Sequence, residues 1–289
     1  MTDRASNDSP GPLAPAFEIL QCPVCGEPFE GATGGVRCEA GHHFDRARQG
    51  YLSLRGGGSS ATGDTVAMIE ARERIQRSGA HDAIAAAIVD AVPVEASGWL
   101  VDLGGGTGWH AARVLDARPG LRGVVLDASV PALRRAARAH ERLAAVGSDV
   151  WAGIPVADAS VAVVLRVFAP GAGARGAAEL DRVLAPGARV VVVVPEPAHH
   201  HELVKPLKLL KVPAGKADEA AASIPGARHA TTTTVTGVHE LTREQAIDAI
   251  MMGPNAFHQE REALAEALAS WPEPIAVTIS ASVVVLDIG

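Results

Sequence analysis

Cysteine is scarce in this chain of 289 residues: there are three, all between positions 22 and 38. An odd number confined to one segment excludes a disulfide framework and fits a reducing compartment, where thiolates bind metal rather than pair. Aromatic residues are few as well, with one Tyr and five Phe, so the core must rest on Ala, Val, Leu and Ile. Basic charge is not in surplus: the formal net charge is -7, and composition alone does not advertise nucleic acid unless charge is segregated by face. No apolar run approaches the length that crosses a bilayer. The opening MTDRASNDSPGPLAP is polar and proline-rich rather than signal-like. These absences lead to the expectation of a cytoplasmic protein whose residues 1–16 form a disordered tail.

What is present begins with the cysteines. Cys22-Pro-Val-Cys25 is followed after twelve residues by Cys38-Glu-Ala-Gly-His42. Two thiolates in a tight turn grip one ion while turn amides stabilise the sulfur charge, and Cys38 with a histidine completes a tetrahedron around zinc. Either His42 or His43 can reach. Four protein ligands leave no open position, so the site is read as structural, its binding free energy serving to fold a segment too short to bury its own core.

Beyond this module (17–54), RGGGSSATGD (55–64) reads as a flexible connector, and helical patterns follow at 65–77 and 81–92, completing a connecting region over 55–97. From Trp99 the pattern changes. WLVDL (99–103), GVVLD (123–127), VAVVLRVF (161–168) and RVVVVV (189–194) are nearly all apolar and rich in β-branched residues, as in parallel strands covered on both faces. Helical stretches alternate with them, including VPALRRAARAHERL (130–143), whose arginines are read as a solvated face. TTTTVTGV (231–238) and IAVTISASVVVLDI (275–288) flank a helical stretch over 242–270 and suit a partly antiparallel pair at the sheet edge. The pattern predicts a doubly wound α/β domain over 98–289.

Asp102-Leu-Gly-Gly-Gly-Thr-Gly follows the first of these strands and sets Gly104, Gly106 and Gly108 in a turn. A dinucleotide fingerprint needs glycine at position 109, where Trp109 stands, so the spacing with its preceding acid favours S-adenosylmethionine over NAD. Asp127 ends the next strand, where a carboxylate can accept both ribose hydroxyls. Asp149, in SDVWAGIP (148–155), is a candidate for the adenine amino group or a loop cap. Phe168 ends the fourth strand, placed to stack on an acceptor base. PEPAHHHEL (195–203) ends the fifth with His199 and Glu202. Asn255 and His258, in a turn between helices, are further candidates.

Taken in order, these segments resemble the RlmA-type 23S rRNA guanine-N1 methyltransferases, and within them the actinobacterial tylosin-resistance branch. The resemblance runs from Cys22 onward through FDRARQGYLSL (44–54), GDTVAMIEAR (63–72), DLGGGTGWH (102–110), LRRAARAH (133–140), SDVWAGIP, VFAP (167–170) and MGPNAFHQ (252–259). It implies a class I S-adenosylmethionine-dependent methyltransferase, Rossmann-like with a mostly parallel seven-stranded sheet, carrying a small N-terminal zinc-binding module. It implies His42 as the fourth zinc ligand. It also implies methyl transfer to N1 of a guanine in a 23S rRNA hairpin loop, on naked RNA or a large-subunit precursor, with macrolide resistance as a consequence and room for two copies to pair around the RNA. Two segments depart from the pattern: the connector is RGGGSSATGD where the family's is often basic, and the loop after VFAP is rich in small residues. Both bear on the substrate more than on the chemistry.

Neutral guanine carries a proton on N1 that must leave during transfer, so a general base is expected. His199 and Glu202 follow the fifth strand beside the expected pocket and are the candidates, with Phe168 as platform. A small-molecule methyltransferase that keeps the zinc module as a scaffold is the competing expectation, favoured by the acidic balance. A non-catalytic binding protein is opposed by the intact glycine turn.

Overall fold

The computed structural model describes residues 11–55, 63–171, 173–222, 224 and 226–289. The chain begins with a short helix α1 (Leu13–Ala16) and three short antiparallel strands, β1 (Phe29–Ala32), β2 (Gly35–Cys38) and β3 (His43–Asp45). Strand β4 (Leu52–Ser53), helix α2 (Val66–Arg77) and helix α3 (Asp82–Ala91) lead into the α/β region. There β5 (Gly98–Leu103), α4 (Trp109–Ala117), β6 (Leu121–Asp127), α5 (Val130–Ala136), β7 (Leu143–Gly147), β8 (Val161–Val167), α6 (Gly173–Val183) and β9 (Leu184–Pro195) alternate. The chain closes with α7 (His201–Val204), α8 (Lys216–Ala222), β10 (Ala227–Leu241), α9 (Arg243–Met251), a 3-10 turn (Pro254–Phe257), α10 (Arg261–Leu268) and β11 (Ile275–Ile288).

The large sheet has the order β10-β11-β9-β8-β5-β6-β7-β4. Its middle is parallel, and β11 runs antiparallel to both β9 and β10. The order reverses at β5, so the ends of β5, β6 and β8 open a crevice there, the place where ligands bind in open α/β sheets. Strands β6 to β9 are apolar on both sides because both faces are covered. One face carries Leu100, Val125, Leu165 and Val191 against α3, α4 and α5; the other carries Val101, Val124, Val164 and Val190.

Three expectations are corrected. The sheet has eight strands, not seven, because β4 pairs in parallel with β7 (Leu52 with Val146, Ser53 with Gly147). An open edge leaves amides and carbonyls unpaired, and the two-residue strand covers part of that edge. The basic segment 130–143 is not one helix: α5 stops at Ala136, and β7 follows where no strand was expected. The stretch 1–16 is not disordered throughout, since Leu13 and Ala16 of α1 are buried in the same cluster as Trp99, Val101 and Val124. Residues 1–10, and 56–62 of the glycine-rich connector, lie outside the described residues.

The cysteine module therefore shares a core with the sheet. Ile19, Leu20, Phe29 and Val36 join that cluster, and the backbone is stitched by Gln21 N–H to the Pro155 carbonyl (3.0 Å) and Ala157 N–H to the Ile19 carbonyl (2.8 Å). On the other side, α2 is held by Thr65, whose hydroxyl caps the Met68 amide, and by Arg74, which grips Asp248 of α9 through two nitrogens (2.6 and 2.8 Å). Among the described residues no helix is long and apolar enough to cross a membrane.

Candidate active site

Cys22, Cys25, Cys38 and His42 bring one ligand atom each to within 4.8 Å of one another. Cys25 Sγ lies 3.6 Å from Cys38 Sγ, and His42 Nδ1 lies 3.4 Å from Cys38 Sγ and 3.6 Å from Cys22 Sγ. A tetrahedron with Zn–S of about 2.3 Å and Zn–N of about 2.0 Å has edges of roughly 3.8 Å between sulfurs and roughly 3.6 Å between sulfur and nitrogen. The donor set therefore fits zinc. His43 is the one that does not take part: its Nδ1 faces Asp45, 3.6 Å away.

At the crevice, the turn after β5 is built so that backbone comes close to whatever lies above it. Gly106 has φ of 57°, which L side chains rarely adopt, and an added Cβ would sit 3.0 Å from Nη1 of Arg72. Its neighbour Gly105 has no room either, since a Cβ there would lie 2.4 Å from the Asp102 carboxyl carbon. Gly104 and Gly108 also take positive φ, and Gly108 precedes the first turn of α4. Asp127 accepts hydrogen bonds from the amides of Gly106 (2.8 Å) and Ser129 (2.7 Å), which fixes its carboxylate at the rim. Each of its oxygens keeps a second lone pair. Burial raises the Asp127 pKa, and the two amides pull the other way.

Asp102 is fully enclosed, and neither carboxylate oxygen has a partner among the described residues. Burial, with the neighbouring Asp127 charge, pushes its pKa up to about 8. A buried acid without a donor is costly, and such an orphan beside a glycine cradle marks a place for a polar ligand group. Arg72 of α2 reaches over the same turn. Its guanidinium pairs with Asp64 (2.5 Å) and donates to the Met252 carbonyl (2.8 Å), so α2, the connector's end and the loop after α9 meet above Gly106. Arg55, the first residue of the connector, donates to the Ala128 carbonyl (2.9 Å), and the Ser129 hydroxyl donates to the Asp64 carbonyl (2.7 Å). Both ends of the connector thus converge on the loop behind Asp127. The Asp149 side chain accepts the Trp151 amide (3.2 Å), the loop-cap geometry.

Beside the turn, Phe168 stands between two imidazoles, its ring centroid 6.0 Å from His81 and 6.0 Å from His199. Its φ is 53°, a strained conformation for a bulky residue that costs about 1–3 kcal/mol and concentrates at functional sites. His199 stacks on His200 at 3.9 Å, and His200 also has positive φ. Burial holds these imidazoles neutral: it pushes His81 down to about 3, His199 to about 4, and His200 well below its ordinary value. Nε2 of His81 and Nε2 of His200 are buried without a partner among the described residues. The crevice wall is thus a packed aromatic cluster with unspent hydrogen-bonding capacity.

Two expected roles change. Glu202 is turned onto β11, where the Thr278 amide donates to one carboxylate oxygen (3.0 Å) and the Thr278 hydroxyl to the other. Both oxygens hold α7 on the sheet, and against the opposing effect of burial the Thr278 hydrogen bonds lower its pKa, which weakens it as a base. His199 stays in the pocket, but its Nδ1 accepts the Ser280 amide (3.1 Å). A backbone N–H can only donate, so the neutral ring carries its proton on Nε2 and presents a donor, not a base. Asn255 instead supports the chain, accepting the Leu210 amide (2.9 Å), and His258 is exposed. His81 and Arg72 had no sequence motif of their own as site residues; the packing of α2 and α3 over the crevice brings them in.

With this geometry in hand, comparisons with known proteins are informative. Residues 20–55 match the family described as "RlmA, N-terminal", and residues 69–209 match "O-methyltransferase domain". A protein of Micromonospora griseorubida named putative 23S rRNA (guanine-N(1)-)-methyltransferase is 42% identical over 282 residues, covering 90% of this chain and 94% of its own. A 23S rRNA (guanine(748)-N(1))-methyltransferase of Streptomyces fradiae is 37% identical over 271 residues, again covering 90% and 94%. Among solved structures, the YcgJ protein of Bacillus subtilis superposes with a TM-score of 0.51 at 13% identity, covering 72% of this chain and 98% of its own, a likeness of fold. The chain is a class I methyltransferase with a zinc ribbon, and identity of this level across both parts shows that it belongs to the 23S rRNA (guanine-N1)-methyltransferase family.

Proposed function

We propose that the protein transfers a methyl group from S-adenosylmethionine to N1 of a guanine in a 23S rRNA hairpin loop. The observation that carries this reading is the aromatic cluster of Phe168, His81 and His199 beside the glycine turn. Aromatic rings at that place would give a stacking surface to a planar base that has been swung out of its stack. Two relatives named for this reaction, similar over 90% of this chain, support it.

When bound, S-adenosylmethionine supplies an electrophilic methyl group on a sulfonium. Four residues of this chain would hold it. Asp127 would accept the ribose hydroxyls on its remaining lone pairs, and Gly106 would let the backbone approach. Arg72 would face the methionyl carboxylate, and Asp102, ionising on contact, the ammonium. At the cluster, Phe168 would stack on the guanine. His199 Nε2–H would donate to O6, where negative charge gathers as N1 loses its proton. As the methyl group's bond to sulfur is exchanged for one to N1, the N1 proton would pass to the unpartnered Nε2 of His81. A weakly basic imidazole suffices there, because N1–H becomes strongly acidic as the methyl group bonds to N1. Holding the base in line with the methyl group supplies most of the acceleration.

Primer extension across 23S rRNA after incubation with protein and cofactor tests the reading. N1 methylation blocks the Watson–Crick edge, so a new cofactor-dependent stop in a hairpin loop is expected. Protein that binds cofactor and zinc yet yields no stop would shift the acceptor to a small molecule. In a cell, the same mark near the macrolide path would confer resistance.

A further inference from the structure

A cavity of about 670 Å³ opens on the side of the molecule away from the antiparallel edge, walled by α2, α4 and α5. Its charge is unlike that of the chain. Arg77, Arg113, Arg134, Arg135 and Arg138 line it against two carboxylates, Glu73 and Asp116, in a protein of net charge -7. Two of the arginines are partly neutralised: Arg135 lies 3.6 Å from Glu73, and Arg113 lies 3.6 Å from Asp82. Asp116 faces His140 at 3.4 Å. Arg77, Arg134 and Arg138 have no carboxylate partner among the described residues.

The groove is also placed between the two parts of the chain that a large substrate must span. One end holds Thr107 and Trp109, which flank Gly108 of the cofactor turn; another wall includes Gln49, from the zinc module's loop between β3 and β4. Trp109 is stacked under the Arg113 guanidinium at 3.5 Å and edge-on to His110, so the wall is stiff rather than a set of loose side chains. A trench lined by five arginines and by amide side chains suits a chain of phosphates and sugars better than an apolar peptide.

We propose that this groove is the track for the RNA backbone that flanks the methylated loop, with Arg77, Arg134 and Arg138 as its phosphate contacts. The proposal rests on the rRNA reading and adds where the polyanion lies: the basic face of α5 is part of the substrate interface, not a solvated exterior. An acidic protein can bind RNA in this way because its positive charge is collected on one wall.

The test measures binding of a fluorescent 23S rRNA hairpin over a range of salt concentration. Arg134→Gln combined with Arg138→Gln should weaken binding and lower the slope of log affinity against log salt by about 1.5, the contribution of two phosphate contacts. Arg134→Lys with Arg138→Lys should restore most of that slope. S-adenosylhomocysteine affinity and Tm should stay at wild-type values in all variants, and Arg122→Gln, on the far surface beside Glu18, should change nothing. A glutamine pair that binds with wild-type affinity and slope, while wild-type protein methylates the hairpin, overturns the groove and spares the rRNA reading. Wild-type protein that neither binds nor methylates any 23S hairpin overturns both.

Discussion

Arg72 concentrates more of the cofactor site than any other single side chain, because its guanidinium is already fixed by Asp64 and Met252 before a ligand arrives. On the proposed arrangement, Arg72→Ala removes one charge-assisted interaction with the methionyl carboxylate, worth about 1.5–3 kcal/mol, so S-adenosylhomocysteine should bind about 10–100-fold more weakly. Methylthioadenosine, which lacks the amino-acid moiety, should bind as before; equal weakening of both in a calorimeter would place Arg72 in the scaffold instead. The buried titratable groups make a second expectation. His81, His110 and His199 are held below their ordinary 6.5 by burial. The unfolded chain therefore binds protons that the native state refuses, and their stabilising share, complete above pH 6.5, is lost as pH falls toward about 4 and 3. Asp102 has the opposite sign: its folded pKa of about 8 exceeds the unfolded 3.8, so its share is lost as pH rises through that window. Three imidazoles outweigh one carboxyl below pH 6.5, and Asp102 acts alone among these four above it. Tm of the cofactor-free, zinc-loaded protein should peak near pH 6.5, and Asp102→Asn should flatten the alkaline limb. A Tm that climbs from pH 6.5 to 8 in the wild type would contradict this.

At the level of elements, α2 is the hinge-pin of the site, since Arg72 and Arg74, two residues apart and so on different sides of the helix, reach the cofactor crevice and α9. Asp248 is 1% exposed and takes Arg74 on one side and Arg261 of α10 on the other (2.6 Å). Asp248→Ala removes the shared acceptor of two guanidiniums that are 42% and 34% exposed, so water screens part of the loss and the cost should be about 1–3 kcal/mol, read as a lower urea midpoint, with cofactor affinity falling too because Arg72 loses its setting. A midpoint unchanged within error would mean the pair is fully solvent-screened. How legible these elements were depended on local signal. The strands at 123–127, 161–168 and 189–194 announce themselves by apolar runs with two to five β-branched residues each, and 99–103 by the acid and glycine turn that follow directly on its apolar residues. β7 does not: Leu-Ala-Ala-Val-Gly has one β-branched residue and follows an alanine- and arginine-rich helix with no glycine or proline between them. The cysteine cluster and the glycine turn were readable because their chemistry needs fixed spacing in one segment. His81, Arg72 and the Thr278 clasp on Glu202 were not, because each joins residues far apart in sequence through packing alone.

For the whole molecule the question is whether the zinc module is an appendage or part of one folding unit. Its apolar residues Leu20, Phe29 and Val36 lie in one cluster with Val101, Val124 and Val164 of the sheet, and β4 extends that sheet past β7. Metal held by Cys22, Cys25, Cys38 and His42 therefore braces one face of the methyltransferase domain, not only the ribbon. Structural zinc contributes about 10–16 kcal/mol in small modules. Even a third of that, at roughly 2 °C per kcal/mol for a chain of this size, lowers Tm by about 6–10 °C. Removing zinc with a strong chelator should shift a single calorimetric transition downward by this amount and weaken S-adenosylhomocysteine binding, with both restored on adding zinc. The coupling of the second effect to the first is the discriminating point, because Arg55 leaves the module to hold the Ala128 carbonyl directly behind Asp127. Two resolved transitions, with the upper one and cofactor affinity unmoved by the chelator, would mean that the ribbon folds by itself and that the shared core carries no cooperativity between them.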